Sequence, residues 1–275
     1  MTTITNIVTF QKKGNRMTKP AILITGASSG IGATYADRFA RRGHDLVLVA
    51  RDAARMETLA VRLRAEAGVS IDILPADLTR TDEIAAVESR LRDDERIGIL
   101  VNNAGAGLGG RFVDQSTDAI GQLITLNATS VARLASAIAP RLVARGDGAI
   151  INIGSVVGLA PEFGMSVYGA TKAFVLFLSQ GLAHELSQRG VYVQAVLPAA
   201  TRTELWERAG ADETSLPPMM DVNDLVDAAL VGFDKREGIT IPPLHDSSLW
   251  SAFDTARMAM LPGFGATQPA ERYTP

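Results

Sequence analysis

Cysteine is absent from the 275-residue chain, which excludes disulfides, thiol nucleophiles and cysteine-ligated metals. No run of about 18 apolar residues occurs, so no segment has the length and hydrophobicity of a membrane-spanning helix. Neither charge sign is in excess. The 27 Lys+Arg and 30 Asp+Glu leave a net charge of −3, which argues against nucleic acid or a membrane surface as a partner held by bulk electrostatics. Histidine is scarce, and His44, His184 and His245 are too far apart to show metal-ligand spacing. Lysine is scarcer than the cation count suggests: 22 of the 27 are Arg and 5 are Lys. Lys12, Lys13 and Lys19 crowd the start, leaving only Lys172 and Lys235 in the body of the chain. Arginine is the default cation here, so each body lysine raises the question of what an ammonium does that a guanidinium cannot.

What remains is ordinary for a globular protein, with 47% apolar and 21% charged residues and length enough for a substantial core. Residues 1–19 lack the apolar centre of a secretory signal and read as a disordered leader, so the expected location is cytoplasmic. The fold is expected to begin near Pro20 and to run through 275 as one domain. Short apolar runs at 21–25, 45–50, 70–74, 98–102, 148–153, 191–197 and 239–241 read as strands. Helical spacing at 30–42, 53–67, 80–94, 115–145, 167–189 and 222–234 fills the gaps between them. Buried strands alternating with helices predict a parallel sheet covered on both faces, a three-layer α/β/α doubly wound, Rossmann-like fold. Ligands in such folds bind beyond the carboxyl ends of the strands.

The first strand runs into Thr25-Gly26-Ala27-Ser28-Ser29-Gly30-Ile31-Gly32 and then a helix. Glycines let a pyrophosphate approach the backbone, and the helix N-terminus offers free N–H groups and a positive dipole end. The spacing T-G-x-x-x-G-x-G resembles the short-chain dehydrogenase/reductase family rather than the G-x-G-x-x-G form. The resemblance covers about residues 20–200 closely and the remainder loosely.

The second strand ends at Ala50-Arg51, where NAD-binding relatives usually carry an acid for the adenosine ribose. No carboxylate there repels a 2′-phosphate, and Arg51 can pair with one bidentately. Ser28 can add a hydroxyl, and Asp52 is expected to start the next helix. The expected cofactor is therefore NADP(H); the alternative is a solvated Arg51 and NAD(H). Asp77-Leu78 and Asn103-Ala104-Gly105 resemble the family's adenine-side and sheet-stabilising motifs, although Asp77 also suits a helix cap.

Ser155 follows the fifth strand, and Tyr168-Gly169-Ala170-Thr171-Lys172 opens a later helix. Residues i and i+4 share a helix face, so phenol and ammonium are neighbours. A nearby cation favours phenolate, which would bring the phenol toward the working pH. Tyr168 then serves as general acid or base, with Ser155 stabilising charge on the substrate oxygen. The set resembles the family's catalytic signature. That resemblance implies Asn127 as a fourth member anchoring a water relay to Lys172, and Lys172 as a holder of the nicotinamide ribose. Pro198 and Thr203 resemble the family's nicotinamide-side segment, although Ala199 and Thr201 depart from its pattern.

Residues 201–220, including Leu205, Trp206, Leu216, Pro217, Met219 and Met220, read either as a substrate lid or as core packing. With Leu108, Val156, Val157 and Phe163 they suggest a small ketone, aldehyde or alcohol with an apolar body. The run Phe174–Leu178 is apolar around most of its helix, which predicts a homodimer or homotetramer. The expected activity is an NADP(H)-dependent oxidoreductase. Its rivals are a silent NADP(H)-binding regulator and a sugar-nucleotide epimerase or dehydratase.

Overall fold

The computed structural model describes residues 19–204 and 218–274. Apart from Lys19, the leader lies outside the described residues, as do Leu205, Trp206, Leu216 and Pro217 of the 201–220 segment. The described chain groups into two compact units that meet in sequence at Pro242 and Pro243, whereas the sequence pattern was read as one domain.

The first unit is built on a seven-stranded sheet of β1 (Ala21–Thr25), β2 (Leu46–Ala50), β3 (Ile71–Pro75), β4 (Ile97–Asn102), β5 (Gly148–Ile153), β6 (Val191–Val196) and β7 (Ile239–Thr240). Every pairing is parallel and the order is 3-2-1-4-5-6-7. The direction of winding reverses between β1 and β4, which opens a crevice at their carboxyl ends.

The strands read as apolar runs because both sheet faces are covered, and alternate residues serve opposite cores. Ile22 and Ile24 join Tyr35, Phe39, Met56 and Leu63 on one face. Ala21 and Leu23 join Ile84, Leu91, Leu134 and Ile138 on the other. Helices α1 (Gly30–Arg41), α2 (Ala53–Ala67) and α3 (Thr81–Asp93) connect the first four strands. As expected, Asp52 caps α2, its side chain accepting from the Arg55 N–H at 2.9 Å.

The helical stretch at 115–145 is not continuous. It comprises α4 (Thr117–Ile124), a π turn (Thr125–Thr129) and α5 (Ser130–Arg145). The π turn adds a residue to one helical turn, and such turns often mark functional positions; Asn127 lies at its centre. Helices α6 (Ser166–Leu186) and α7 (Val222–Asp234) complete the first unit. The second contains α8 (Ser247–Ala259), which the sequence pattern did not foretell. Among the described residues no helix is long and apolar enough to cross a membrane.

Candidate active site

The glycine loop joins β1 to α1 at the crevice. Ser29 is the helix N-cap in extended conformation, and the first turn of α1 holds no acidic residue. The positive end of the helix therefore meets no carboxylate of its own, as phosphate binding requires. Gly26 and Gly30 take left-handed φ values of 65° and 54°, which glycine adopts freely. At Gly26 a Cβ would lie 2.8 Å from the Asn103 Nδ2, and at Gly30 it would lie 3.1 Å from the Thr203 Cγ2. A Cβ at Gly32 would also strike the Asn103 amide. Ser28 and Ser29 are half-buried, and Ile31 packs on the core below them.

Asn103 binds this loop to its neighbour. Its side-chain amide donates to the carbonyls of Thr25 (2.9 Å) and Gly26 (3.3 Å). The Thr25 hydroxyl accepts from the N–H groups of Asn103 and Ala104, both at 3.0 Å. Asn102 is buried and donates to Asn152 on β5 at 3.0 Å. The Asn-Asn-Ala-Gly turn thus holds the sheet together.

Arg51 is exposed just beyond β2. Asp77 sits near it and accepts from Thr79 through the backbone (2.9 Å) and the hydroxyl (2.7 Å). Burial works to raise the Asp77 pKa, but the Thr79 bonds and the charges of Arg51 and Arg80 outweigh it, leaving the carboxyl below its usual range. Asp77 is not the helix cap that the sequence offered as an alternative: the N-cap of α3 is Arg80, and one Asp77 carboxylate oxygen closes a turn at Thr79 instead. Leu78 is a core residue. An acid-free helix N-terminus beyond a glycine loop, with an exposed guanidinium after β2, fits a phosphorylated dinucleotide.

Ser155, Tyr168 and Lys172 converge beyond β5. Ser155 is buried; its hydroxyl donates to the Pro198 carbonyl at 3.3 Å and accepts from the Val157 N–H at 3.2 Å. Lys172 is buried, donates to the Ile153 carbonyl at 3.0 Å, and lies 5.7 Å from the centre of the Tyr168 ring. Burial pushes the Lys172 ammonium down to about 8. For Tyr168, burial raises the phenol above its ordinary value, and the hydrogen bond with Ser155 is what works to lower it. The sequence pattern assigned that lowering to Lys172; in this structure burial prevails and the opposing contribution comes from Ser155. Asn127 is buried and pairs with Ala106, its Nδ2 donating to the Ala106 carbonyl at 2.9 Å and its Oδ1 accepting from the Ala106 N–H at 3.0 Å. A Cβ on Gly105 would lie 3.3 Å from the Asn127 Oδ1 and 3.6 Å from the Lys172 Nζ.

The segment after β6 reaches across the crevice. Thr203 lies against Gly30, and Glu204 accepts from Arg55 of α2 at 2.6 Å. Thr201 and Met220 form a parallel bridge, so the two ends of the 201–220 segment meet. Three features were missed in the sequence: the π turn around Asn127, the Arg55–Glu204 pair and the bonding of Thr171. Only the last carried a signal, being a hydroxyl inside the Tyr-x-x-x-Lys motif.

Residues 20–214 match the short chain dehydrogenase family, to which the chain belongs. Among solved structures, it is similar to a short-chain dehydrogenase from Sphingobium yanoikuyae in complex with NADPH. Identity is 65% and the TM-score 0.91, over 93% of this chain and 100% of that one. It is also similar to the bulky-bulky ketone specific alcohol dehydrogenase from Comamonas testosteroni, at 58% identity and a TM-score of 0.87, over 93% of this chain and 99% of that one. A very-long-chain 3-oxoacyl-CoA reductase from Bos taurus is 36% identical over 187 residues, which are 66% of this chain and 60% of that protein. The chain spans about three fifths of the length of the first curated relatives it matches.

Proposed function

We propose that this protein is an NADP(H)-dependent oxidoreductase that interconverts a ketone and an alcohol. The observation carrying this reading is the convergence of Ser155, Tyr168 and Lys172 beside a glycine-lined helix N-terminus. NADPH, when bound, supplies hydride to the carbonyl carbon. Ser155 orients the carbonyl oxygen and stabilises the charge that develops there. Tyr168 donates its phenolic proton to that oxygen, a role suited to a phenol that burial keeps protonated. Lys172 supports the resulting tyrosinate with its positive charge, and Asn127 anchors the relay through which the proton is replaced. Gly26, Ser28, Ser29, Gly30, Ile31 and Gly32 would cradle the pyrophosphate, Asp77, Leu78, Asn103, Ala104 and Gly105 would serve the adenosine side, and Pro198 and Thr203 would border the nicotinamide.

The substrate class is a ketone with an apolar body. Val156, Val157 and Phe163 fall between Ser155 and Tyr168 in the sequence, and Phe163 is 59% exposed. Similarity to an enzyme described as specific for bulky-bulky ketones supports starting with ketones that carry large groups on both sides. A panel of such ketones followed by NADPH absorbance tests the reading; no turnover of any carbonyl compound with either nicotinamide would overturn it.

Arg51 selects NADPH. Wild type is expected to favour NADPH over NADH in kcat/KM, and Arg51→Asp should lower the NADPH value by about 10- to 100-fold, as expected for losing a hydrogen-bonded charge pair. A wild-type preference for NADH would refute the assignment.

Helix α6 also supplies an assembly face. Phe174 and Phe177 are 42% and 78% exposed on the helix that carries Tyr168 and Lys172. Two copies of the chain pair through this face, so light scattering at micromolar concentration should give a dimer or tetramer, and Phe177→Glu should shift it toward monomer. A monomeric wild type contradicts this.

A further inference from the structure

Thr171 stands between Tyr168 and Lys172 in sequence and is 4% exposed. Its hydroxyl donates to the Tyr168 carbonyl at 2.7 Å. A carbonyl only accepts, so the single hydroxyl proton is committed there and a lone pair faces the Asn127 Nδ2, which donates to it at 3.2 Å. The second Nδ2 hydrogen goes to the Ala106 carbonyl, and the Asn127 Oδ1 accepts from the Ala106 N–H. Asn127 therefore has one satisfied orientation, and Thr171 completes it. Three elements meet through this pair of side chains: the loop after β4, the π turn, and the first turns of α6.

We propose that Thr171 is a positioning residue for proton transfer, fixing the Asn127 amide and the register of Tyr168 and Lys172 against it. The proposal rests on the assignment of Tyr168 as the proton donor. The Thr171 hydroxyl is bonded to the helix turn that carries both phenol and ammonium, at the Tyr168 carbonyl, and it also receives the Asn127 amide that the reading above places in the proton relay. Removing the hydroxyl frees one Asn127 hydrogen in a site that is 1% exposed and releases the tie to α6. The effect falls on proton movement and not on the glycine loop, which Asn103 and Thr25 hold independently.

The test compares Thr171→Val, which keeps the shape, with Thr171→Ser, which keeps the hydroxyl; Thr171→Ala replaces the valine variant if that one does not fold. Thr171→Val is expected to lower kcat for ketone reduction by about tenfold, within the range that small misplacements of reacting groups produce. KM and NADPH affinity should stay near wild type, the solvent isotope effect on kcat should rise, and the pH profile should shift. Thr171→Ser should restore all of these. A valine variant with wild-type kcat, isotope effect and pH profile would overturn the proposal. So would a serine variant as impaired as valine, or a kcat loss matched by an equal loss of NADPH binding. Tyr168→Phe run in parallel separates the two levels: an active phenylalanine variant refutes the underlying reading, whereas an inactive one beside a normal valine variant refutes only the role of Thr171.

Discussion

Replacing Tyr168 by Phe should lower ketone reduction by about 10²- to 10⁴-fold, the usual contribution of a positioned acid, while NADPH binding stays nearly intact. The substitution removes one oxygen and preserves the ring. Ser155 keeps its bonds to Pro198 and Val157, so no newly unsatisfied hydroxyl should complicate the result. Single-turnover rates and coenzyme fluorescence titration check the two halves separately. Activity surviving the change would remove the mechanism. A silent NADP(H)-binding regulator is also distinguished here, because such a protein would turn over nothing before or after the substitution.

Lys172→Met should behave differently, because it sets stability against activity. The ammonium is buried and held at about 8 against an ordinary 10.5. The unfolded chain therefore binds more protons between these two values, and stability rises with pH across that window. Below pH 8 the burial penalty is fully present, on the order of 3 kcal/mol. Methionine removes that penalty but also removes the donor to the Ile153 carbonyl, a loss of about 1–3 kcal/mol. The two nearly offset each other, so at pH 7 the thermal midpoint should match wild type or exceed it by a few degrees. The comparison should turn against methionine as pH approaches 10, where wild type has shed its penalty. Reduction should fall by about 100-fold or more, and coenzyme affinity should drop as well if the same ammonium serves the ribose, as the family resemblance implies. Wild-type reduction should be flat below pH 8 and decline above it as Lys172 loses its proton. A midpoint far below wild type at pH 7, or reduction that keeps rising above pH 8, would contradict this account.

Most of the sheet was legible because each strand is buried on both faces and so reads as an uninterrupted apolar run between turn residues. β1 and β5 begin and end at the residues the pattern marks, and the other strands differ by a residue at one or both ends. The helix at 115–145 was misread for a physical reason. A π turn slips the helical face by one residue, and apolar spacing of i, i+3 and i+4 absorbs such a slip without trace. α8 was missed because the strand–helix alternation ends before it, although Asp246 caps it by accepting from the Ser248 N–H.

For the site, residue types at fixed spacing brought Ser155, Tyr168 and Lys172 together, since one helix and one strand end determine their placement. The direction of the phenol's pKa was not legible. It depends on how deeply the ring is buried and on which neighbour touches its oxygen, and both are set by segments distant in sequence. The tie from Thr171 to Asn127 spans 44 residues; the hydroxyl inside the Tyr-x-x-x-Lys motif signals one end of it, but nothing local names its partner.

The seam at Asn103 has a practical meaning for changing coenzyme. The proposed pyrophosphate cradle is locked into the framework, since the loop after β4 and the glycine loop share hydrogen bonds at Thr25 and Gly26. In the reading proposed above, recognition of the 2′ position rests on Arg51, which is exposed beyond β2 and takes no part in that seam. On that reading the pyrophosphate cradle and the choice of coenzyme belong to separate parts of the fold, so Arg51 can be changed without disturbing the bonds that shape the glycine loop.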